Sequence, residues 1–310
     1  MRFAIFGAGG VGGYFGGRLA QAGHDVTFIA RGPHRDAIRR DGLTVESIAG
    51  DFRVFPAKAT DDPASIGPVE AVVVCVKAWQ VKEAAARMRP LVGPETLVVP
   101  LENGVEAPDE LAAVLGPGPV LGGLCKIVSF VRAPGVVRHS GVAPSVAFGE
   151  MNGGESERVR RLRAEMRRAK AMDVEEPPDI RVAMWQKFVF IAAVSGVGAV
   201  TRAPADVFRA IPETRRLLDA AMRETQAVGR RRGVAIPLHT AERTLAFVDT
   251  LPQGSTASMQ RDLMAGRPSE LEYQTGTVVR LGREAGVPTP VNDFLYAALL
   301  PQENRARSIS

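Results

Sequence analysis

A glycine pattern near the start of the chain constrains its fold more than any other feature. Residues 7–12 read G-A-G-G-V-G, directly after the apolar run Phe3–Phe6 and at the start of a helical pattern, Val11–Ala22. A strand, a tight glycine turn and a helix in this order let the backbone approach a diphosphate, and the helix N-terminus offers it N–H groups. The weaker alternative is a glycine-rich turn without a ligand. We predict dinucleotide contacts for Gly7, Ala8, Gly9, Gly10, Val11 and Gly12.

The end of the second predicted strand indicates which dinucleotide is bound. NAD sites usually carry an acidic residue about 20 residues after the glycines, where it binds the ribose 2′-hydroxyl. Here the strand Asp25–Ala30 is followed by Arg31, and the next acid is Asp36. An arginine can pair with a 2′-phosphate instead. We therefore predict NADP(H), with an exposed loop arginine as the alternative interpretation of Arg31.

The hydrophobic pattern divides the chain into two parts. The first part alternates strands and helices, and its most apolar strand, Val69–Val76, is typical of a parallel sheet buried on both faces. Beyond the stiff, polar stretch Glu175–Asp179 only helical periodicity is found. We predict an α/β fold: an N-terminal Rossmann-type domain with a mostly parallel sheet, residues 1–175, and an all-α C-terminal domain, residues 176–310.

Composition excludes several other classes of protein. The net charge of +5 is small for 310 residues, and acids are interleaved with the basic clusters, so nucleic-acid binding is not expected. Cys75 and Cys125 are too few for a disulfide scaffold and lack metal-ligand spacing, which favours a reducing cytoplasm and no metal site. The longest weakly polar stretch, Phe188–Val200, has 13 residues, which predicts a buried helix and no membrane association.

Polar residues follow two of the predicted strands at the edge where a cofactor crevice forms. Lys77 comes after Val69–Val76 and is able to contact the cofactor or a carboxylate; the alternative is a solvent-exposed lysine at a helix start. Asn103 follows the strand Thr96–Leu101 and is able to bind a nicotinamide amide or a substrate carbonyl. The Asn-Gly pair is also an ordinary turn sequence.

One lysine in the helical part has the properties of a proton donor. Lys187 lies in an otherwise apolar helix, and burial lowers a lysine pKa towards neutrality, whereas an arginine would keep its proton. Ile191 and Ser195 follow at helical spacing on the same face. Downstream, Glu270 either faces Lys187 or caps a helix, and Ser258 either faces the same cleft or is an exposed helix serine.

Six of these segments, in this order, resemble the ketopantoate reductases (2-dehydropantoate 2-reductases), and the resemblance covers nearly the whole chain. The six segments are Gly7–Gly12, Ala22–Val26 with Ala30-Arg31, Val76–Gln80, Glu102–Gly104, Trp185–Phe188 and Ser269–Tyr273. The resemblance implies NADPH-dependent reduction of 2-dehydropantoate to (R)-pantoate, in the pathway to pantothenate and coenzyme A. It implies a small-molecule 2-oxo acid as the partner, and it leaves open whether the Phe- and Met-bearing helices build a homodimer interface or a core.

The resemblance also implies residue roles. Lys187 resembles the general acid, Glu270 the carboxylate that holds the substrate hydroxyl, and Ser258 the serine that holds the substrate carboxylate. Asn103 matches a residue near nicotinamide and substrate, while Arg31 and Lys77 match cofactor contacts.

At two positions the chain departs from the family pattern. Asparagines are replaced by Ile191 and by Ser195, whose reach to the substrate is shorter. A related NADP-dependent reductase of another 2-oxo acid is therefore the alternative. A non-catalytic NADPH sensor is a further alternative. The Lys187–Glu270 pair argues against it, because a sensor needs the glycine loop but no proton donor.

Overall fold

The computed structural model describes residues 1–309, which divide into two compact units. The first unit comprises Met1–Glu102 and Glu106–Ile180, and the second comprises Asn103–Val105 and the chain from Arg181 onward. The segment Asn103–Val105 thus groups with the helices, although the chain on both sides of it belongs to the first unit. The predicted domain boundary between residues 175 and 176 stays a prediction.

Ten strands lie within the described residues, all of them in the first unit. They are β1 (Arg2–Phe6), β2 (Asp25–Ile29), β3 (Leu43–Ser47), β4 (Phe52–Val54), β5 (Lys58–Thr60), β6 (Val69–Val74), β7 (Val92–Pro100), β8 (Gly122–Ala133), β9 (Val136–Gly149) and β10 (Asp173–Glu175).

The α-helices number twelve within the same residues. They are α1 (Gly10–Gln21), α2 (Gly32–Asp41), α3 (Val81–Met88), α4 (Ala107–Leu115), α5 (Glu157–Met166), α6 (Ile180–Thr201), α7 (Ala205–Ala210), α8 (Pro212–Arg231), α9 (Thr240–Asp249), α10 (Ser258–Met264), α11 (Thr277–Ala285) and α12 (Pro290–Ile309).

The first sheet is entirely parallel, with strand order β5-β2-β1-β6-β7. The chain progresses outward from β1 in one direction through β2 and β5, and in the other direction through β6 and β7. Between β1 and β6 the order therefore reverses, which is where open α/β sheets bind ligands, at the carboxyl ends of the strands. The predicted parallel sheet followed by helices is confirmed.

A second, mixed sheet of the same unit has the order β10-β9-β3-β4, with β8 antiparallel to β9. The sequence predicts three separate β-rich pieces here, Gly122–Val131, Val136–Arg138 and Val146–Phe148. The structure joins them into one long hairpin. The pairing of β8 with β9 continues past the polar and glycine-containing positions that separate the predicted pieces, and two bulges adjust its register. The short strand β10 lies parallel to β9 within a stretch that the sequence marks as a helix end and linker.

The helical unit is built around α6, a helix of 22 residues. By length and composition alone α6 could cross a membrane. The sequence analysis expected an apolar stretch of 13 residues, Phe188–Val200, and this expectation is wrong about the length of the helix. About 67% of its most apolar window is buried inside the protein. Val189, Val194 and Val197 pack there against α8, α9 and α12, which accounts for its apolar character as a core helix.

Two further elements differ from the expectation. Helix α2 has few apolar residues, and the sequence analysis does not predict it. Helical periodicity in the sequence predicts a single helix over Leu271–Ala285. The structure begins it instead with a π-helical turn, Glu272–Gly276, in which the Gly276 N–H donates to the Leu271 carbonyl at 2.9 Å. Such turns are rare and occur frequently at functional sites.

Candidate active site

The glycine loop between β1 and α1 has the geometry of a phosphate cradle. Gly7 adopts φ +99°, and a Cβ at this position would lie 2.7 Å from the Cys75 carbonyl oxygen. A Cβ at Gly12 would lie 2.1 Å from the Gly7 carbonyl oxygen. These two positions therefore require glycine because the backbone passes too close for a side chain.

Gly9 differs from its neighbours because it faces open space. A Cβ there would meet nothing within 4 Å, and Gly9 is the N-cap of α1 without any side-chain cap. The Gly13 N–H makes the first intrahelical bond, to the Gly9 carbonyl, so the amides before it have no acceptor within the helix. With no acidic residue in the first turn, this helix start fits the diphosphate of a dinucleotide.

His34 of α2 fixes the glycine loop and was missed by the sequence reasoning. Its Nε2 lies 2.8 Å from the Ala8 carbonyl oxygen, and its Nδ1 accepts the Gly135 N–H at 3.0 Å. Since Nδ1 accepts, the ring proton is on Nε2 and is donated to Ala8. The imidazole thus connects the loop, α2 and the turn between β8 and β9.

Arg31 stands at the N-cap of α2 and is exposed. Its Nη2 donates to Glu83 Oε1 at 3.0 Å, with both side chains about 60% exposed. Arg35, one turn later, pairs with Asp36 and Asp61. The arginine predicted to bind a 2′-phosphate therefore already has an anionic partner in solvent.

Lys77 and Glu102 lie at the carboxyl ends of neighbouring strands. The Lys77 ammonium stands over the Trp79 ring at 5.6 Å from its centroid. Glu102 is 7% exposed, and its Oε1 accepts the Val76 N–H at 3.0 Å. This buried carboxylate ties the segment after β7 to the residue before Lys77, a contact that the sequence does not reveal.

Both cysteines are reduced and lie near this edge of the sheet. Burial, and then the nearby Glu102 carboxylate, raise the pKa of the Cys75 thiol well above its usual value. The Cys125 thiol donates to the Leu101 carbonyl at 3.5 Å. Within residues 1–309 no group of three metal-ligating side chains is found.

In the helical unit, Lys187 is half-buried on α6. Its ammonium forms no hydrogen bond or ion pair with any residue that the structure describes. Ile191 is half-buried on the same face, whereas Ser195 is fully buried and its hydroxyl has no partner among the described residues. A half-buried cation without a protein partner is available to an anionic or carbonyl ligand.

Glu270 is 5% exposed, and α12 holds the preceding residue, Ser269. The carboxylate of Glu303 accepts the neighbouring Ser269 N–H at 3.0 Å and the Ser269 hydroxyl at 2.6 Å. Arg307 pairs with Glu303 at 2.6 Å and donates to the Ser269 carbonyl at 2.9 Å. Three charge-assisted bonds to Ser269, supported by the Arg307–Glu303 ion pair, thus fix the chain immediately before Glu270.

The nearby carboxylate Glu272 has a different environment. It is exposed, and the Tyr296 hydroxyl donates to its Oε2 at 2.6 Å. Burial and this hydrogen bond raise the Tyr296 pKa to about 12, so the phenol keeps its proton. Of the two acids in the segment, only Glu270 is buried.

Asn103 lies close to the same segment of the helical unit. A Cβ on its neighbour Gly104, which adopts φ +124°, would lie 3.2 Å from the Tyr273 carbonyl oxygen. Ser258 is the first residue of α10 and is half-buried. Neither the Asn103 nor the Ser258 side chain hydrogen-bonds to a described residue, so no hydrogen bond joins either of them to Lys187.

Comparison with known proteins identifies the family. The family model "Ketopantoate reductase PanE/ApbA" matches residues 3–153, and "Ketopantoate reductase PanE/ApbA C terminal" matches residues 179–303. The chain belongs to the ketopantoate reductase family. The predictions of the family and of an oxidoreductase are thereby confirmed, and dependence on NAD(P) is a property of the family's named relatives.

Individual relatives agree with the family assignment. A 2-dehydropantoate 2-reductase of Mesorhizobium japonicum is 32% identical, over 96% of both chains. The crystal structure of a ketopantoate reductase from Ralstonia eutropha is 32% identical, covers 99% of this chain and 100% of its own, and has a TM-score of 0.89. D-mandelate dehydrogenase, solved with NADH and anilino(oxo)acetate, is 20% identical with a TM-score of 0.89, so it shares the fold of this ketopantoate reductase family member.

Proposed function

We propose that this protein reduces 2-dehydropantoate to pantoate with NADPH. The observation that carries the proposal is the Lys187 ammonium, half-buried on a core helix and without a protein partner, at the position of the family's general acid. The family assignment and the glycine cradle support the same reaction class.

The residues of the first unit account for cofactor binding. The α1 N-terminus, with Gly7 to Gly12, holds the diphosphate, and Lys77 contributes a positive charge at the neighbouring strand end. Arg31 exchanges Glu83 for the 2′-phosphate, because a phosphate carries more charge than a carboxylate and accepts bidentate arginine bonds. When bound, NADPH supplies the hydride for C2 of the substrate.

The residues of the helical unit account for substrate handling. Lys187 Nζ donates its proton to the C2 oxygen, Glu270 accepts a hydrogen bond from the substrate hydroxyl, and Ser258 donates to the substrate carboxylate. Asn103 contributes its amide to the substrate or the nicotinamide. Ser195 is assigned to the substrate side by the resemblance, but its full burial makes Ile191 the better candidate for direct contact.

A second candidate function follows from Ile191 and Ser195. An apolar side chain one turn after Lys187 favours a 2-oxo acid with an apolar tail over one that needs an amide donor there. On this alternative the protein is an NADP-dependent reductase of another 2-oxo acid, with the same lysine chemistry.

Purified protein should be assayed by the loss of NADPH absorbance with 2-dehydropantoate and a panel of other 2-oxo acids, with NADH as the cofactor control. A kcat/KM highest for 2-dehydropantoate is expected. Preference for an apolar 2-oxo acid would favour the second candidate, and NADPH binding without turnover on any acid would contradict both and indicate a sensor.

A place in the pathway to pantothenate and coenzyme A, in the cytoplasm, follows from the proposed reaction. Deleting the gene should then create a requirement for added pantoate if no second reductase is present. The homodimer stays a prediction, which sedimentation of the purified protein tests.

A further inference from the structure

A stripe of half-buried residues on α6 contains Lys187. Gln186, Lys187, Phe190 and Ile191 are half-buried, whereas residues 192–199 are buried. Because residues three and four positions apart are neighbours on a helix surface, Phe190 and Ile191 both lie beside Lys187. Helical side chains lean towards the helix N-terminus, so the Phe190 ring covers the turn from which Lys187 projects. The one cation among these four residues is therefore bordered by apolar side chains.

Phe247 of α9 continues this apolar border. Its ring lies edge-to-face on the Phe190 ring, with 5.4 Å between the ring centroids and an interplanar angle of 64°. Phe190 packs in turn against the buried core of the helical unit, whereas Phe247 is 51% exposed. The two rings therefore form an aromatic surface that is supported from inside the helical unit and open on its outer side.

The end of α9 that carries Phe247 is held in place by two arginines. Arg215 pairs with Asp249 through both terminal guanidinium nitrogens, at 2.6 and 2.8 Å. Arg209 donates to the Val248 carbonyl at 2.6 Å. The exposure of Phe247 is thus not the result of a loose helix end. A rigid backbone that presents an exposed aromatic ring is typical of a binding surface.

Lys187 and the two rings together are complementary to one kind of ligand. The Lys187 ammonium has no hydrogen-bond or ion-pair partner among the described residues, so it is available to the oxygen atoms of an acid. The rings of Phe190 and Phe247 are available to an apolar group of the same molecule. A 2-oxo acid with an aryl tail has both parts.

We infer that Phe190 and Phe247 extend the substrate site of this enzyme, which makes 2-oxo acids with an aryl tail a further substrate class beside 2-dehydropantoate. The inference rests on the proposed function, in which Lys187 is the proton donor. The reaction is the same as the proposed one: C2 receives a hydride from NADPH, its oxygen receives the Lys187 proton, and the products are a 2-hydroxy acid and NADP⁺. Since 2-dehydropantoate has no ring, its own turnover does not need the extension.

The test compares 2-oxo-4-phenylbutanoate with 2-oxobutanoate, the same acid without its ring. For the wild-type enzyme kcat/KM should be about tenfold higher for the aryl acid, as expected for partial burial of a phenyl ring. Phe247→Ala should reduce this ratio about three- to tenfold, the size of one aromatic contact, mainly through a higher KM for the aryl acid. Phe247→Tyr keeps the ring and should keep the wild-type ratio. The kcat/KM for 2-dehydropantoate should stay at the wild-type level in both variants.

Phe294 provides a matched control in the same unit. It lies on α12 and is 58% exposed, close to the exposure of Phe247. Phe294→Ala removes the same ring from a similarly exposed helical position, so it should leave the ratio of the two acids unchanged. A similar fall in both alanine variants would show a general effect of removing a surface ring and would overturn the inference.

Two further outcomes would also overturn the inference, and they are distinguishable. If the wild-type enzyme reduces 2-dehydropantoate and Phe247→Ala leaves the ratio of the two acids unchanged, the rings do not bind substrate and the proposed function stands. A smaller sedimentation coefficient of this variant would then assign the rings to a contact between two copies of the chain. If no 2-oxo acid is reduced, the proposed role of Lys187 fails and the inference fails with it.

Discussion

Arg31 and Glu83 form an ion pair at 3.0 Å on the surface of the dinucleotide-binding unit. Arg31 caps α2 and Glu83 lies in the first turn of α3, so the pair links two helices that follow neighbouring parts of the parallel sheet. Both side chains are mostly in solvent, where such pairs contribute at most about 1 kcal/mol. A weak partner of this kind is readily displaced by a phosphate.

Removing the Glu83 charge should therefore strengthen NADPH binding. Glu83→Gln is expected to lower the Kd for NADPH by about two- to fivefold, within the range of an exposed pair, and to leave the Kd for NADH unchanged. Arg31→Ala should raise the Kd for NADPH by about tenfold or more. Titration of NADPH fluorescence gives both constants, and an equal effect on NADPH and NADH would contradict the 2′-phosphate assignment.

Lys187 should be needed for turnover and not for cofactor binding. Because general acid catalysis contributes about 10²- to 10⁴-fold, Lys187→Ala should lower kcat by that factor. Lys187→Arg keeps the charge but holds its proton, so it should be nearly as slow. NADPH binding by both variants serves as the control, and an unchanged kcat in Lys187→Ala would remove this residue from the chemistry.

His34 should matter for cofactor affinity. His34→Leu leaves the Ala8 carbonyl and the Gly135 N–H unpaired and should raise the Kd for NADPH about tenfold. His34→Gln offers both a donor and an acceptor and should restore much of the affinity. The contrary result is a lower unfolding midpoint in both variants with wild-type Kd values, which would show that the imidazole serves the fold alone.

His24 should make stability depend on pH. Burial lowers its pKa below the usual histidine value of about 6.5, and its Nε2 bonds to the Glu165 carbonyl at 3.0 Å. The unfolded chain then binds a proton at a higher pH than the folded one, so this contribution to stability is present above pH 6.5 and is lost as the pH falls below it. Melting curves from about pH 8 to pH 5 should show a steeper loss for the wild type than for His24→Gln.

The amino-acid sequence by itself determined the parallel sheet, the glycine cradle and the helical second half. Glycines 7 and 12 stand where only glycine fits, and the run Ala71–Val74 is apolar and buried on both faces, so local pattern and final environment agree. Lys187 was found in the same way, because a charged residue in an apolar helix is visible without a structure, whereas the role predicted for Glu270 came from the family resemblance.

Only the tertiary structure decided which partners these residues have. His34 reaches Ala8 across 26 positions, Glu303 reaches Ser269 across 34, and Glu83 reaches Arg31 across 52. No periodicity records contacts between residues so far apart, since they depend on how helices and strands pack. The same reason explains the unexpected strand β10, which forms by pairing with β9, and the π-turn at Gln274, where packing against α12 accompanies a departure from the regular helical pattern.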